Sequence, residues 1–276
     1  MADLSVVDAV VLGIVEGLTE FLPVSSTGHL TIAEGLLGLQ VDDPSVTAFT
    51  AIIQSGAIAA VLIYFAKDIA RLARAFFGGL GSAAGRADRE FRFALAVLIG
   101  SLPIGVVGLV FEDVIKGPVL RSLVTVGIAL IAWSAVMVLA EKRATQTRGE
   151  DAVTLRDALL IGLAQCVALV PGVSRSGATI SAGLLLGIDR VTATRMAFLL
   201  GIPALVGAGL FQLPEALGED GIDTAPLVVG TVVSFVVAYA SIAWLLRFVA
   251  HHSIAWFVPY RVALGIAVLV GVAVTS

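Results

Sequence analysis

The sequence predicts an all-α integral membrane protein: six transmembrane helices plus two re-entrant helical hairpins, arranged as an inverted-topology repeat. Three observations carry that expectation. Of 276 residues, 58% are hydrophobic and only 14% charged, at a mean hydropathy of +1.03, whereas soluble chains carry roughly 25% charged residues. Six apolar runs, near 46–66, 93–111, 119–140, 192–213, 225–246 and 257–275, are long enough to cross a hydrocarbon core of about 30 Å. Two further units, 5–39 and 154–188, are apolar but broken in the middle. The chain reads as one membrane domain, 1–276, with internal repeats at about 1–145 and 150–276.

The first broken unit holds Glu16-Gly-Leu-Thr-Glu-Phe-Leu-Pro-Val-Ser-Ser-Thr-Gly-His29. Its first arm, about Ser5 to Leu22, is helix-like, and Glu16 and Glu20 stand four apart on one face. Pro23 ends that helix by removing an N–H and restricting Leu22. Ser25, Ser26 and Thr27 are then cap residues for a second helix running to about Gly38. A helix N-terminus offers free N–H groups and about half a positive charge, which suits phosphate. With helix starting near Ser26, His29 falls on the same face.

The spans follow in order. The run 46–66 carries Gln54 before Ser55-Gly56, which reads either as helix–helix glue or as a site residue. Arg71 to Arg92 is basic but broken by Gly and Ala and lacks interleaved stacking aromatics, so nucleic-acid binding is excluded. Pro103 and Pro203 are tolerable inside membrane helices. Cys166, the single cysteine, rules out an intrachain disulfide and reads as a packed thiol.

The second broken unit holds Val170-Pro-Gly-Val-Ser-Arg-Ser-Gly-Ala-Thr179. Sliding the chain without a gap until Gly13 meets Gly162 also matches Val24 with Val173, Ser25 with Ser174, Gly28 with Gly177 and Gly38 with Gly187. The second arms span about 12 residues, or roughly 18 Å of helix, too short to cross. Each unit is therefore read as a hairpin that enters and leaves on one side.

Charge fixes orientation. The segments 67–92, 141–156, 188–195 and 247–261 fall on one side and hold all Lys and Arg except Lys116, Arg121 and Arg175. The opposite side holds Lys116 and Arg121 with Asp42, Asp43, Glu215, Glu219, Asp220 and Asp223. The basic side is cytoplasmic by the positive-inside rule. Three spans separate the hairpins, an odd number, so the copies are inverted. The first dips from outside and the second from the cytoplasm. Broken helices meeting near the midplane make a binding site for a small anion.

Carboxylates at membrane depth cost about 2.5–3.5 kcal/mol each on insertion scales. Glu16 and Glu20 therefore suggest either a bound hard cation or a shared proton. Arg175 is either a clamp on backbone carbonyls or a bidentate phosphate ligand. Ser25, Ser26, Thr27, Ser174 and Ser176 cluster at the two breaks as caps or phosphate ligands. His251 and His252 lie in a basic loop and read as solvated.

Glu16 to His29, Pro171 to Thr179 and the Gln54-Ser-Gly-Ala-Ile region resemble the signature segments of bacterial undecaprenyl-diphosphatases of the bacitracin-resistance type. The resemblance covers essentially the whole chain in length and span order. It implies a multi-pass plasma (inner) membrane enzyme, dimeric, that removes the terminal phosphate of the C55 isoprenoid diphosphate and returns the carrier for peptidoglycan synthesis. It implies dependence on Mg²⁺ or Ca²⁺ and functional roles for Glu16, Glu20, Ser26, His29, Ser174 and Arg175. Glu16 and Glu20 are then the metal residues, and Glu20, Ser26, His29 and Arg175 the catalytic ones. Ser25, Thr27, Ser174, Ser176, Gln54 and Arg175 form the phosphate site, opening to the outer side. On this reading Ser26 attacks and Glu20 or His29 takes its proton; attack by water or by His29 stays open. The rival is a polyprenyl-phosphate flippase or secondary transporter, which the inverted repeat alone favours.

Overall fold

A computed structural model describes residues 4–41, 43–218 and 223–275, which are helical almost throughout. A capping box opens α1 (Val6–Thr19): the Ser5 hydroxyl accepts from the Asp8 N–H at 3.2 Å, and the Asp8 carboxylate accepts from the Ser5 N–H at 3.0 Å. The helix stops one turn before Pro23, which has no N–H to offer the Thr19 carbonyl. α2 (Ser26–Leu36) follows the break. It ends where Gly38 turns left-handed at φ +74° and the Leu39 N–H reaches the Glu34 carbonyl at 2.9 Å.

The first span is α3 (Pro44–Tyr64), started by Asp43 with proline in its first turn. The segment expected as a basic loop is instead helical: α4 (Ala66–Leu80) and α5 (Ala83–Ala87) fill it. α6 (Arg89–Val110) keeps Pro103 inside, and two short turns, α7 (Glu112–Lys116) and α8 (Pro118–Arg121), lead to α9 (Leu123–Arg143).

α10 (Leu155–Cys166) then repeats the opening of α1 with a second capping box, Thr154 and Asp157, at 3.2 and 2.8 Å. α11 (Arg175–Leu185) ends as α2 does, at Gly187 with φ +79° and an Ile188 N–H to Gly183 carbonyl bond of 3.0 Å. Ser25 and Ser174, aligned in the sequence, are both left-handed, at φ +80° and +78°. The likeness of the two broken units thus extends to their caps, breaks and ends. The chain closes with α12 (Arg190–Gly218), α13 (Thr224–Val249) and α14 (Val258–Thr275).

Among the described residues six helices are long and apolar enough to cross a membrane, over 44–64, 89–110, 123–143, 190–211, 224–249 and 254–274. The protein is a multi-pass membrane protein. Leu102, Leu109, Val236, Trp244 and Val270 remain exposed on the spans, as hydrocarbon-facing side chains should. Among the described residues no strand forms, and one isolated bridge joins Arg148 to Ile188.

Each broken unit leans on a span of the other half. α1 packs on α13 and α10 packs on α6. The aligned glycines make both approaches: a Cβ on Gly13 would sit 2.6 Å from the Gly230 carbonyl oxygen, and one on Gly162 would collide with that of Gly100. Between them lies an apolar core in which Phe198 meets Phe21 edge-on at 5.4 Å and Phe65 at 6.0 Å.

Charge patterning misplaced one residue. Arg261, expected in a cytoplasmic loop, sits in the first turn of α14 and is fully buried. The expected loop acids Asp42, Glu219 and Asp220 lie outside the described residues, as do the side chains of Lys116, Arg121 and Glu215.

Candidate functional site

The two breaks meet. The Gly172 N–H donates to the Ser25 hydroxyl at 3.0 Å. The Arg261 guanidinium binds both sides of this seam, donating to the Pro23 carbonyl at 2.9 Å, the Gly172 carbonyl at 2.9 Å and the Val173 carbonyl at 3.2 Å. Its Nε donates to Ser134 Oγ at 3.1 Å. The cost of burying this charge is offset by those acceptors. Arg261 thus acts as a clamp on backbone carbonyls, the role considered for Arg175.

Because the Ser25 hydroxyl is committed to Gly172, it caps nothing. α2 therefore begins with no side-chain bond at its N-terminus, leaving donors and the positive end of the helix dipole open. The expectation that one of Ser25, Ser26 or Thr27 caps α2 fails for this reason. Ser174, at the aligned position, does cap its helix: it accepts from the Gly177 N–H at 3.2 Å and lies 3.1 Å from Ser176 Oγ. Ser174 and Ser176 are buried.

Glu20 links the two units. One of its oxygens accepts from the Ser26 hydroxyl at 2.7 Å and the other from Arg175 Nη2 at 3.1 Å. Arg175 Nη1 donates to the Ala197 carbonyl at 3.2 Å, while its buried Nε has no hydrogen-bond partner. Gly201 makes room for this fork, since a Cβ there would collide with Nη1. The resulting serine–carboxylate–arginine chain runs from the first unit to the second.

Glu16, one turn before Glu20, is fully buried with both oxygens lacking a hydrogen-bond partner. A buried carboxylate in that state requires a proton or a cation. Glu16 with Glu20 offers a hard, all-oxygen donor set that fits Mg²⁺ or Ca²⁺, with further oxygens left to a ligand. Among the described residues no group of three or more His, Cys, Asp or Glu is assembled.

His29 faces elsewhere than Ser26. Its Nδ1 lies 2.7 Å from the Ser25 carbonyl and its Nε2 2.6 Å from the Tyr260 hydroxyl. A carbonyl only accepts, so Nδ1 carries the hydrogen, and in the neutral ring the Tyr260 hydroxyl donates to Nε2.

A cavity of about 390 Å³ opens beside these groups, lined by Glu16, Ser26, Thr27, Glu34 and Gln54 among others. That volume is within the range of small-molecule sites. The structure thus gathers Glu16, Ser26, Thr27 and Gln54 on one cavity and joins Glu20 and Arg175 to it through Ser26. It directs Ser25, Ser174, Ser176 and His29 into bonds around the breaks. Sequence reasoning missed Tyr260, Arg261 and Gly201. For Arg261 a signal existed, because an arginine four residues inside the apolar run 257–275 is as costly as Glu16.

A strained, non-glycine φ above zero of the kind at Ser25 costs roughly 1–3 kcal/mol and gathers at functional sites. Residues 9–267 match the family described as Bacitracin resistance protein BacA. The chain is 55% identical over 268 residues to Undecaprenyl-diphosphatase 3 of Frankia casuarinae, covering 96% of each. It is 56% identical over 267 residues to Undecaprenyl-diphosphatase 1 of Streptomyces coelicolor, covering 96% of this chain and 95% of the other. The undecaprenyl-diphosphatase of Mycolicibacterium gilvum is 50% identical over 271 residues, 97% and 96% of the two chains.

Proposed function

The chain belongs to the Bacitracin resistance protein BacA family, and from that premise we propose that it hydrolyses undecaprenyl diphosphate to undecaprenyl phosphate and orthophosphate. The observation that carries the reading is the Ser26–Glu20–Arg175 chain at an uncapped helix N-terminus on a cavity. Oriented donors and fixed positive charge supply most of phosphoryl-transfer catalysis.

Ser26 Oγ attacks the terminal phosphorus while Glu20 Oε2, already 2.7 Å away, takes its proton. The bond from that phosphorus to the bridging oxygen breaks, and the prenyl monophosphate departs into lipid. Glu20 passes its proton to the departing phosphate. It next takes one from the water attacking the phosphoserine and returns it to Ser26 Oγ as orthophosphate leaves. Glu20 is a better base than His29 for this step, because both His29 nitrogens are engaged elsewhere. Arg175 holds Glu20 in place and compensates phosphate charge. Glu16 and Glu20 would hold the divalent cation, Mg²⁺ or Ca²⁺, which supplies further positive charge against the diphosphate when bound.

In the membrane, the α1–α2 and α10–α11 units are re-entrant and inverted, and the repeats run about 1–145 and 150–276. The basic segments face the cytoplasm, the cavity opens to the outer side, and the enzyme works as a homodimer. Detergent-solubilised protein should release orthophosphate from a prenyl diphosphate without vesicles. Lipid movement across vesicles with no phosphate release would replace the hydrolase by a flippase.

A further inference from the structure

We propose that Tyr260 is a positioning residue of this hydrolysis, acting through His29 on the strained Ser25 that presents Ser26 to the substrate. The proposal rests on the diphosphatase reading. It starts from a difference between two serines in the same left-handed conformation, Ser25 at φ +80° and Ser174 at φ +78°. Ser174 is fastened by its own hydroxyl, which takes the Gly177 N–H. The Ser25 hydroxyl is drawn away to Gly172, so another group must hold its peptide.

That group is His29, whose Nδ1–H donates to the Ser25 carbonyl at 2.7 Å. The position aligned with His29 in the second unit is Ala178, where no such bond is needed. An imidazole makes this bond reliably only while the hydrogen stays on Nδ1. The accept-only Ser25 carbonyl sets that tautomer, and Tyr260 holds the ring in place to use it: its hydroxyl donates to Nε2 at 2.6 Å, and its ring stacks on the imidazole at 5.6 Å and 22°. Tyr260 is itself fixed by its neighbour in the chain, since Arg261 bonds the carbonyls of Pro23, Gly172 and Val173. One turn of α14 therefore grips the seam with Arg261 and sets the histidine with Tyr260. The tyrosine hydroxyl points to His29, so its role is orientation of the attacking serine.

The experiment uses full-length protein in detergent with ¹⁵N-labelled histidine, in a His251→Gln, His252→Gln background so that only His29 reports. The imidazole nitrogens should show the Nδ1–H tautomer, and Tyr260→Phe should shift the Nε2 resonance away from that of a hydrogen-bonded acceptor. The same variant should lower kcat by about tenfold, the effect of one lost hydrogen bond, with KM changed less than about twofold. In a His29→Ala background Tyr260→Phe should cost nothing further, because its effect runs through the missing ring. His29→Asn serves if His29→Ala does not accumulate. An unchanged Nε2 resonance in Tyr260→Phe, or the same loss of kcat with and without His29, overturns the proposal. Wild-type protein that releases no phosphate overturns the diphosphatase reading instead, and the nitrogen signals still decide the tautomer.

Discussion

The two broken helical units share a backbone and divide the labour. Both open on a capping box, both break at a left-handed serine, and both close on a left-handed glycine. Their side chains part at aligned positions. Glu16 faces Gln165 in the alignment, Glu20 faces Leu169, Ser26 faces Arg175 and His29 faces Ala178. The first unit keeps the carboxylates, the hydroxyl and an uncapped helix end. The second keeps a capped helix and supplies one cation. A duplicated scaffold can thus place complementary charges head to head, with each copy specialised by a few substitutions.

The largest break in that comparison should come at Ser26. Ser26→Ala removes the attacking oxygen while leaving a good helix-forming residue at the start of α2. Phosphate release should fall by roughly three powers of ten or more, since loss of a nucleophile disables the whole catalytic unit. Substrate binding should persist, measured by retention of a labelled prenyl diphosphate. A variant that keeps a tenth of wild-type turnover would reassign the attack to water.

Glu16→Gln makes the first unit match the second, where Gln165 is also fully buried with both polar side-chain atoms lacking a partner. If Glu16 supports a cation, activity should fall by roughly 10–100-fold and recover in part at high Mg²⁺ or Ca²⁺. Chelator should silence the wild type reversibly. Undiminished turnover of the variant in chelator would remove Glu16 from any metal role.

Much of this was legible in the sequence, and the reason is local. The Pro23 break and the Gly38 and Gly187 ends depend on residues within four or five positions of one another, and the Ser5/Asp8 and Thr154/Asp157 boxes, just as local, went unread. The Glu16–Glu20 pair and the start of α2 at Ser26 follow from helix geometry for the same reason. Arg261 was not legible through loop charge. Its acceptors lie at Pro23, Ser134 and Gly172, and only the tertiary fold makes its burial tolerable. Tyr260 and Gly201 are invisible on similar grounds, since one matters through His29 and the other through the space it leaves Arg175.

Arg175→Lys probes the cation that the second unit contributes. The planar fork reaches Glu20 with Nη2 and the Ala197 carbonyl with Nη1, and an ammonium group cannot bridge both in that geometry. A loss of about 1.5–3 kcal/mol, the range for a charged hydrogen bond, gives roughly ten- to a hundredfold in kcat/KM. Protein yield in the membrane should be unchanged. Normal kinetics with poor accumulation would make Arg175 purely structural.

The smallest effect should come from Ser174→Ala, and it sharpens the contrast between the two serines. Ser174 holds the Gly177 N–H and neighbours Ser176 within a buried seam. Losing a helix cap costs about 0.5–2 kcal/mol of stability, to which the strained φ of Ser174 adds nothing new because alanine inherits the same backbone. Thermal unfolding in detergent should therefore shift down by a few degrees, while kcat stays within a few-fold of wild type. The matching Ser25→Ala change should behave differently. It removes the acceptor for the Gly172 N–H that ties the two units together, and it leaves the junction to Arg261 and the Glu20–Arg175 pair. Turnover should then fall further than stability. If Ser174→Ala instead abolished phosphate release in a protein that still melted normally, Ser174 would be a substrate ligand, and the second unit would hold more of the chemistry than its cation.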